Sequence, residues 1–211
     1  MIKIFSYPAT RGVRVTWACE ELGIDYDYKI VNLYAGEHRG PDYLAVAPTG
    51  KVPAIQDGEI TLVESGAILT YLADKFGKLI PKVGSAERAY YEQAMYFVLT
   101  ELEQPLWTMA KHKFAFPEDK RIPQAIEVGQ WEFSKALEVF SKMLGNNTFI
   151  AGDDFTMADI IAGHTLSWAQ GFKQDLTYDN VRAYAERVLG RDALKRARAF
   201  EKQQKDALEK V

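Results

Sequence analysis

The sequence predicts an α/β first part built on a mixed four-stranded sheet, followed by an all-α second part. Three observations carry that reading. Residues 2–6 and 26–31 each read as a strand, with a helical stretch between them, which makes a parallel βαβ unit with a right-handed crossover. Asp57-Gly58 sits between two short apolar runs as a two-residue hairpin turn and adds two antiparallel strands. From Ala86 onward strand signals give way to helical spacing.

The elements follow in order. IKIFS at residues 2–6 alternates as a half-buried strand does, and Tyr7-Pro8 ends it. Val15, Ala18, Cys19 and Leu22 then form the apolar face of a helix that Gly23 stops. After the second strand, residues 32–49 hold Gly36, Gly40, Pro41 and Pro48 and read as a long loop with a short helix near residues 42–46. Val52-Pro53 leads into the hairpin, where the missing N–H does no harm and a cis bond fits. Glu64-Ser65 opens a helix running to Phe76, with Ile68, Leu69 and Leu72 on one face. Pro81 and Gly84 mark residues 78–85 as a linker, giving domains of 1–77 and 86–211.

In the second part, residues 85–112 and 123–144 are long helical patterns, and Gly145-Asn146-Asn147 breaks the second. Thr156 and Asp159 read as a capping-box-like helix start with a structural role, Asp159 standing where Glu is usual. Ile160, Ile161, His164 and Trp168 follow at helical spacing, and further helices are expected from about Asn180 to the C-terminus.

Composition narrows the function classes. A net charge of −3 with mixed signs leaves no footprint for a nucleic-acid partner. The first residues lack a signal-peptide pattern and no run reaches membrane-spanning length, so a cytoplasmic location without a membrane partner is expected. One cysteine, Cys19, excludes an internal disulfide framework and a cysteine metal cluster, and its place on an apolar helix face marks it as core. Three scattered histidines, without acidic neighbours at ligand spacing, suggest no metal site.

The chemistry concentrates in residues 49–71. Backbone N–H groups near Val52 and at the helix start after Glu64 converge on one region suited to an extended peptide and a carboxylate. The run Lys51-Val52-Pro53-Ala54-Ile55, a short hairpin, and Glu64-Ser65-Gly66-Ala67-Ile68 together resemble the glutathione-binding half of the cytosolic glutathione S-transferases, in particular bacterial theta- and nu-like members. The resemblance covers nearly the whole chain. It implies a thioredoxin-like first domain with a cis peptide before Pro53, an all-helical second domain and a homodimer. It also implies an enzyme with reduced glutathione as co-substrate, a small hydrophobic electrophile as second substrate and no other cofactor.

Carried over residue by residue, the resemblance places the γ-glutamyl end of glutathione on Glu64 and Ser65. The cysteinyl main chain falls on Val52 beside Pro53, and the glycine carboxylate on Lys51 and His38, with Arg39 able to replace His38. In the loop at residues 7–12 the pattern departs from the family. The position of the theta-like catalytic serine holds Ala9, and no cysteine is present. Thr10 ranks first as the group facing sulfur, then Tyr7, then Arg11; each also has a structural reading, as helix cap, strand-end aromatic and surface charge. Trp107, Met109, His112 and Phe114, with Phe116, are candidates for the electrophile wall, and aromatic and Met residues at such spacing also serve as core.

Magnitudes rank these roles. Lowering a thiol pKa from about 8.5 to about 6.5 raises the thiolate fraction at pH 7 roughly 25-fold, but lower nucleophilicity takes back roughly 8-fold. Any large acceleration must come from holding the electrophile against sulfur. Disulfide reduction or peroxidase chemistry with glutathione, and a non-catalytic module that keeps the fold, are the competing readings.

Overall fold

The computed structural model describes residues 1–208. Its elements are β1 (Ile2–Ser6), α1 (Val13–Leu22), β2 (Tyr26–Ile30), α2 (Pro41–Val46), β3 (Ala54–Asp57), β4 (Ile60–Val63) and α3 (Ser65–Phe76), then the helices α4 (Ala86–Phe97), α5 (Glu103–Ala110), α6 (Gln124–Leu144), α7 (Met157–Gly171), α8 (Asp179–Leu189) and α9 (Asp192–Leu208). Of the helical run expected to reach the C-terminus, the part up to Leu208 is helical, and residues 209–211 lie outside the described ones. Among the described residues, no helix is long and apolar enough to cross a membrane.

The chain forms two compact units, Met1–Lys78 with the segment from Gly190, and Leu79–Leu189. In the first, the strand order is β2-β1-β3-β4. β1 pairs parallel with β2, and both β1 with β3 and β3 with β4 are antiparallel. The mixed four-stranded sheet is therefore the one expected. Asp57-Gly58 makes the hairpin turn, with Gly58 at φ 59. Tyr71 of α3 donates to Asp57 Oδ2 at 2.8 Å and Lys75 pairs with the same oxygen, which ties the turn to the helix. Ile4, Val15, Ala18, Ile55, Ile68, Leu69 and Leu72 are fully buried core side chains.

The sequence places the last helix in the all-helical part, but it packs within the first unit. Small residues on one face, Ala193 and Ala197 beside Leu194, let α9 lie close against α1. Phe200 meets Tyr26 and Tyr28 edge-on, with centroids 5.4 and 5.5 Å apart. Arg191 binds both oxygens of Glu21, at 2.5 and 2.7 Å, and Arg196 binds Glu20 at 2.7 Å.

In the second unit the expected helix at 85–112 starts where Ser85 caps it, its hydroxyl accepting the Arg88 N–H at 3.1 Å. It does not continue as a regular α-helix. Val98–Leu102 and Lys111–Ala115 are π-helical turns on either side of α5. Pro105 accounts for the first: it has no N–H for the carbonyl of Glu101 and its ring crowds that carbonyl, which a wider turn relieves. The capping box at Thr156 is present as expected, with Asp159 accepting from the Thr156 N–H at 2.8 Å.

Candidate functional site

The sheet register brings the predicted glutathione residues to one edge. Phe5 of β1 pairs with Ala54 of β3, and Ala54 with Val63 of β4. The loop leaving β1, the entry to β3 and the exit from β4 thus lie side by side. Ser6 pairs with Ile30, so the long loop after β2 rises from the same edge.

At the exit from β4, Glu64 takes φ 68 and ψ 111, a conformation costing about 1–3 kcal/mol for a residue with a side chain. α3 starts directly after that turn with its first N–H groups lacking intrahelical partners, and Glu64 is exposed. Ser65 is 5% exposed, and its Oγ accepts from Arg14 Nη1 at 3.0 Å. Arg14, on α1, is fully buried. A helix N-terminus with no acidic residue in its first turn, backed by a buried guanidinium, makes a local positive potential for a carboxylate.

The Val52-Pro53 peptide is cis. Val52 packs its side chain against Val31, Tyr43, Ala47 and Ala54, while among the described residues none hydrogen-bonds its main chain. The Tyr43 hydroxyl donates to the Lys51 carbonyl at 2.7 Å and holds this segment in place, leaving the Lys51 ammonium exposed. His38 lies in a single turn, Glu37–Arg39, next to Gly50: a Cβ on Gly50 would stand 3.0 Å from the His38 carbonyl. Its Nδ1 is buried and has no partner among the described residues.

In the loop after β1, the Thr10 hydroxyl donates to the Tyr7 carbonyl at 2.6 Å and accepts the Gly12 N–H at 3.2 Å. It closes the turn into α1, so facing sulfur would require it to exchange the Tyr7 carbonyl for the new acceptor. Tyr7 is 8% exposed and stacks edge-on against Tyr34 at 5.6 Å. Arg11 is half-buried. Gly12 is there because nothing larger fits: a Cβ would fall 1.5 Å from Ser6 Oγ. Gly12→Ala should therefore lose most glutathione binding and about 1–3 kcal/mol of stability through overpacking, read by calorimetric titration and urea unfolding; unchanged values in both would refute the crowding.

Of the proposed electrophile wall, in the second unit, Trp107 is half-buried with its ring 6.5 Å from Trp168. Phe114 is 59% exposed and tilts against Phe172 at 6.3 Å. Trp168 meets Phe172 edge-on at 5.9 Å, and Lys113 Nζ lies 5.2 Å over the Phe172 ring. The result is an aromatic row to which Trp168 and Phe172, not anticipated, contribute as much as Trp107 and Phe114. Met109 does not join it: at 1% exposure it packs the helical core against Gly129 of α6. His112 uses Nδ1 to accept the Ile122 N–H at 3.1 Å and stacks on Phe116, so it braces the chain after the helix.

Cys19 is fully buried, and burial, then the nearby Glu20, pushes its thiol up to about 12, which makes it inert core. Among the described residues no three His, Cys, Asp or Glu gather as metal ligands. Arg14 was missed because an arginine on an otherwise apolar helix face reads as a surface charge; Ser65, its partner, lies 51 residues away.

Comparison with known proteins accords with this geometry. Residues 1–74 match the N-terminal domain model of glutathione S-transferases and residues 104–192 the C-terminal domain model. The disulfide-bond oxidoreductase YfcG of Escherichia coli is 32% identical over 201 residues, 92% of each chain. The chain belongs to the glutathione S-transferase family. Glutathione S-transferase 3 of Zea mays is 32% identical over 180 residues, 78% of this chain and 76% of its own. A glutathione transferase family member from Pseudomonas fluorescens, solved with two glutathione bound, superposes with a TM-score of 0.84 at 28% identity, covering 93% of this chain and 91% of that one. The transferase fold is thus a thioredoxin-like sheet unit with a helical unit, as expected.

Proposed function

We propose that this transferase binds reduced glutathione at the sheet edge of its first unit and joins the glutathione sulfur to a small hydrophobic electrophile. The observation that carries the reading is the α3 N-terminus, where Ser65, backed by buried Arg14, lies at the same sheet edge as the main chain of Val52, which has no hydrogen-bond partner among the described residues. Ser65 and the α3 N–H groups take the γ-glutamyl carboxylate, Glu64 takes its ammonium, and Val52 pairs with the cysteinyl main chain as an added strand would. Lys51 and His38 take the glycine carboxylate. Thr10 is the group assigned to sulfur. The aromatic row of Trp107, Trp168, Phe172 and Phe114 offers the second unit's surface for an apolar electrophile. Tyr90, Tyr96 and Trp131, each more than 60% exposed on α4 and α6, fit the burial a homodimer would bring.

Isothermal titration with reduced glutathione, repeated on a Glu64→Ala, Ser65→Ala double variant, tests the binding half. Heat of binding that the variant loses supports it, and no binding by the native protein sinks it. Thr10→Val should then lower turnover of 1-chloro-2,4-dinitrobenzene several-fold with little change in glutathione affinity, and Thr10→Ser should restore it.

The second reading is glutathione-dependent disulfide reduction, favoured by the disulfide-bond oxidoreductase name of the Escherichia coli relative. Faster turnover of bis(2-hydroxyethyl) disulfide than of the chloroarene would select it.

A further inference from the structure

Behind the loop at residues 7–12 the first unit buries a carboxylate that the proposed chemistry does not use. Glu201, on α9, is 3% exposed. Its Oε2 accepts the Ala9 N–H at 3.1 Å, and its Oε1 accepts the Thr16 hydroxyl at 3.1 Å. Ala9 stands where the theta-like catalytic serine would fall and has φ 59, a left-handed conformation that a residue with a Cβ adopts only when held there. The bond from Glu201 holds it.

The groups around this carboxylate come from every neighbouring element. Thr16 faces it from α1, and Tyr26 and Tyr28 of β2 and Arg198 of α9 act on it or are acted on by it electrostatically. The Tyr28 hydroxyl is buried next to the Ser6 hydroxyl of β1. Burial pushes Glu201 up to about 7, against the opposing pull of Ala9, Thr16 and Arg198.

We propose that Glu201 is a positioning residue whose ionised carboxylate, through the Ala9 N–H, sets the loop at residues 7–12 for reaction at the glutathione sulfur. An ionised carboxylate accepts at both oxygens. A protonated one must turn one oxygen into a donor; the Thr16 hydroxyl can accept that hydrogen bond, because its own O–H can turn to donate to the Val13 carbonyl 3.2 Å away. Ala9 then keeps only a neutral acceptor, roughly half as strong. As pH rises through about 7 the latch therefore tightens. Stability moves the opposite way: an acid raised in the folded state contributes most below its unfolded value, and that contribution is lost as pH climbs through about 7.

The inference rests on the proposed glutathione chemistry, and its test separates the two. Glu201→Gln keeps the shape and is neutral at every pH. Amide exchange at Ala9 needs no glutathione: the native protein should gain protection roughly five-fold between pH 6 and 8, the difference between a neutral and a charge-assisted bond, and the variant should not. In turnover, the native-to-variant ratio of kcat/KM for glutathione with the chloroarene or disulfide should be near one at pH 6 and several-fold at pH 8. The glutathione thiol ionises alike in both proteins and cancels in that ratio. A higher melting temperature of the variant at pH 8 shows that it is folded. Equal Ala9 protection in the two proteins at pH 8, or a turnover ratio independent of pH, overturns the proposal. Absence of any glutathione turnover would sink the proposed function alone, leaving Ala9 exchange to decide the role of Glu201.

Discussion

Asp159→Ala should be among the most damaging single changes in the second unit, lowering its unfolding free energy by about 3–5 kcal/mol. The carboxylate is fully buried and accepts four hydrogen bonds: from the Ile150 N–H at 2.9 Å, the Thr156 N–H at 2.8 Å, the Thr156 hydroxyl at 2.9 Å and the Tyr184 hydroxyl at 2.8 Å. It therefore joins the start of α7, the turn before it and α8 at one point. Burial pushes the Asp159 carboxyl up, and these four donors pull it back. Alanine removes the acceptor for all four donors at once, and each buried donor left without a partner costs about 1–3 kcal/mol before relaxation. Asparagine offers a single acceptor oxygen and a clashing pair of donors, so Asp159→Asn should recover little. Urea unfolding followed by far-ultraviolet circular dichroism measures the loss; a change under about 1 kcal/mol would mean that the box is ornamental.

Ser65→Ala should weaken glutathione binding by about 1.5–3 kcal/mol, the worth of a hydrogen bond to a charged group, or roughly 10- to 150-fold in Kd. Because Arg14 Nη1 donates to Ser65 Oγ at 3.0 Å, the hydroxyl proton is directed away from α1 and toward an incoming carboxylate. The substitution thus removes a donor that is already oriented, and takes one acceptor from a buried guanidinium as well. Arg14→Met should weaken binding in the same direction by withdrawing the positive potential behind Ser65. Calorimetry on both variants tests this: native affinity in Ser65→Ala would remove the γ-glutamyl assignment, and native affinity in Arg14→Met would reduce the guanidinium to packing.

Much of the fold was legible because its signals are local. Asp57-Gly58 makes a hairpin turn on its own backbone preferences, and Gly23 ends α1 at φ 69 because a residue without Cβ adopts that conformation freely. Thr156 and Asp159 cap α7 across three residues. The meeting of Val52-Pro53 and Glu64-Ser65 at one sheet edge was legible too, since they flank a hairpin whose register places them together. The π-helical turn inside the long helix has a local cause as well, Pro105 against the carbonyl of Glu101, but apolar spacing alone reads the stretch as one regular helix.

What only the tertiary structure decided are the pairings across sequence. Apolar spacing along α9 shows that one face must be buried but not against what, and close packing on α1 through Ala193 and Ala197 chose the first unit. Met109 and Phe114 read alike as wall candidates, and burial against Gly129 removed the first. Arg14 and Glu201 are charged residues whose meaning depends on partners 51 and 192 residues away. A buried charge is tolerated only where the fold supplies those partners, so its role is a property of the packed chain and not of the stretch that carries it.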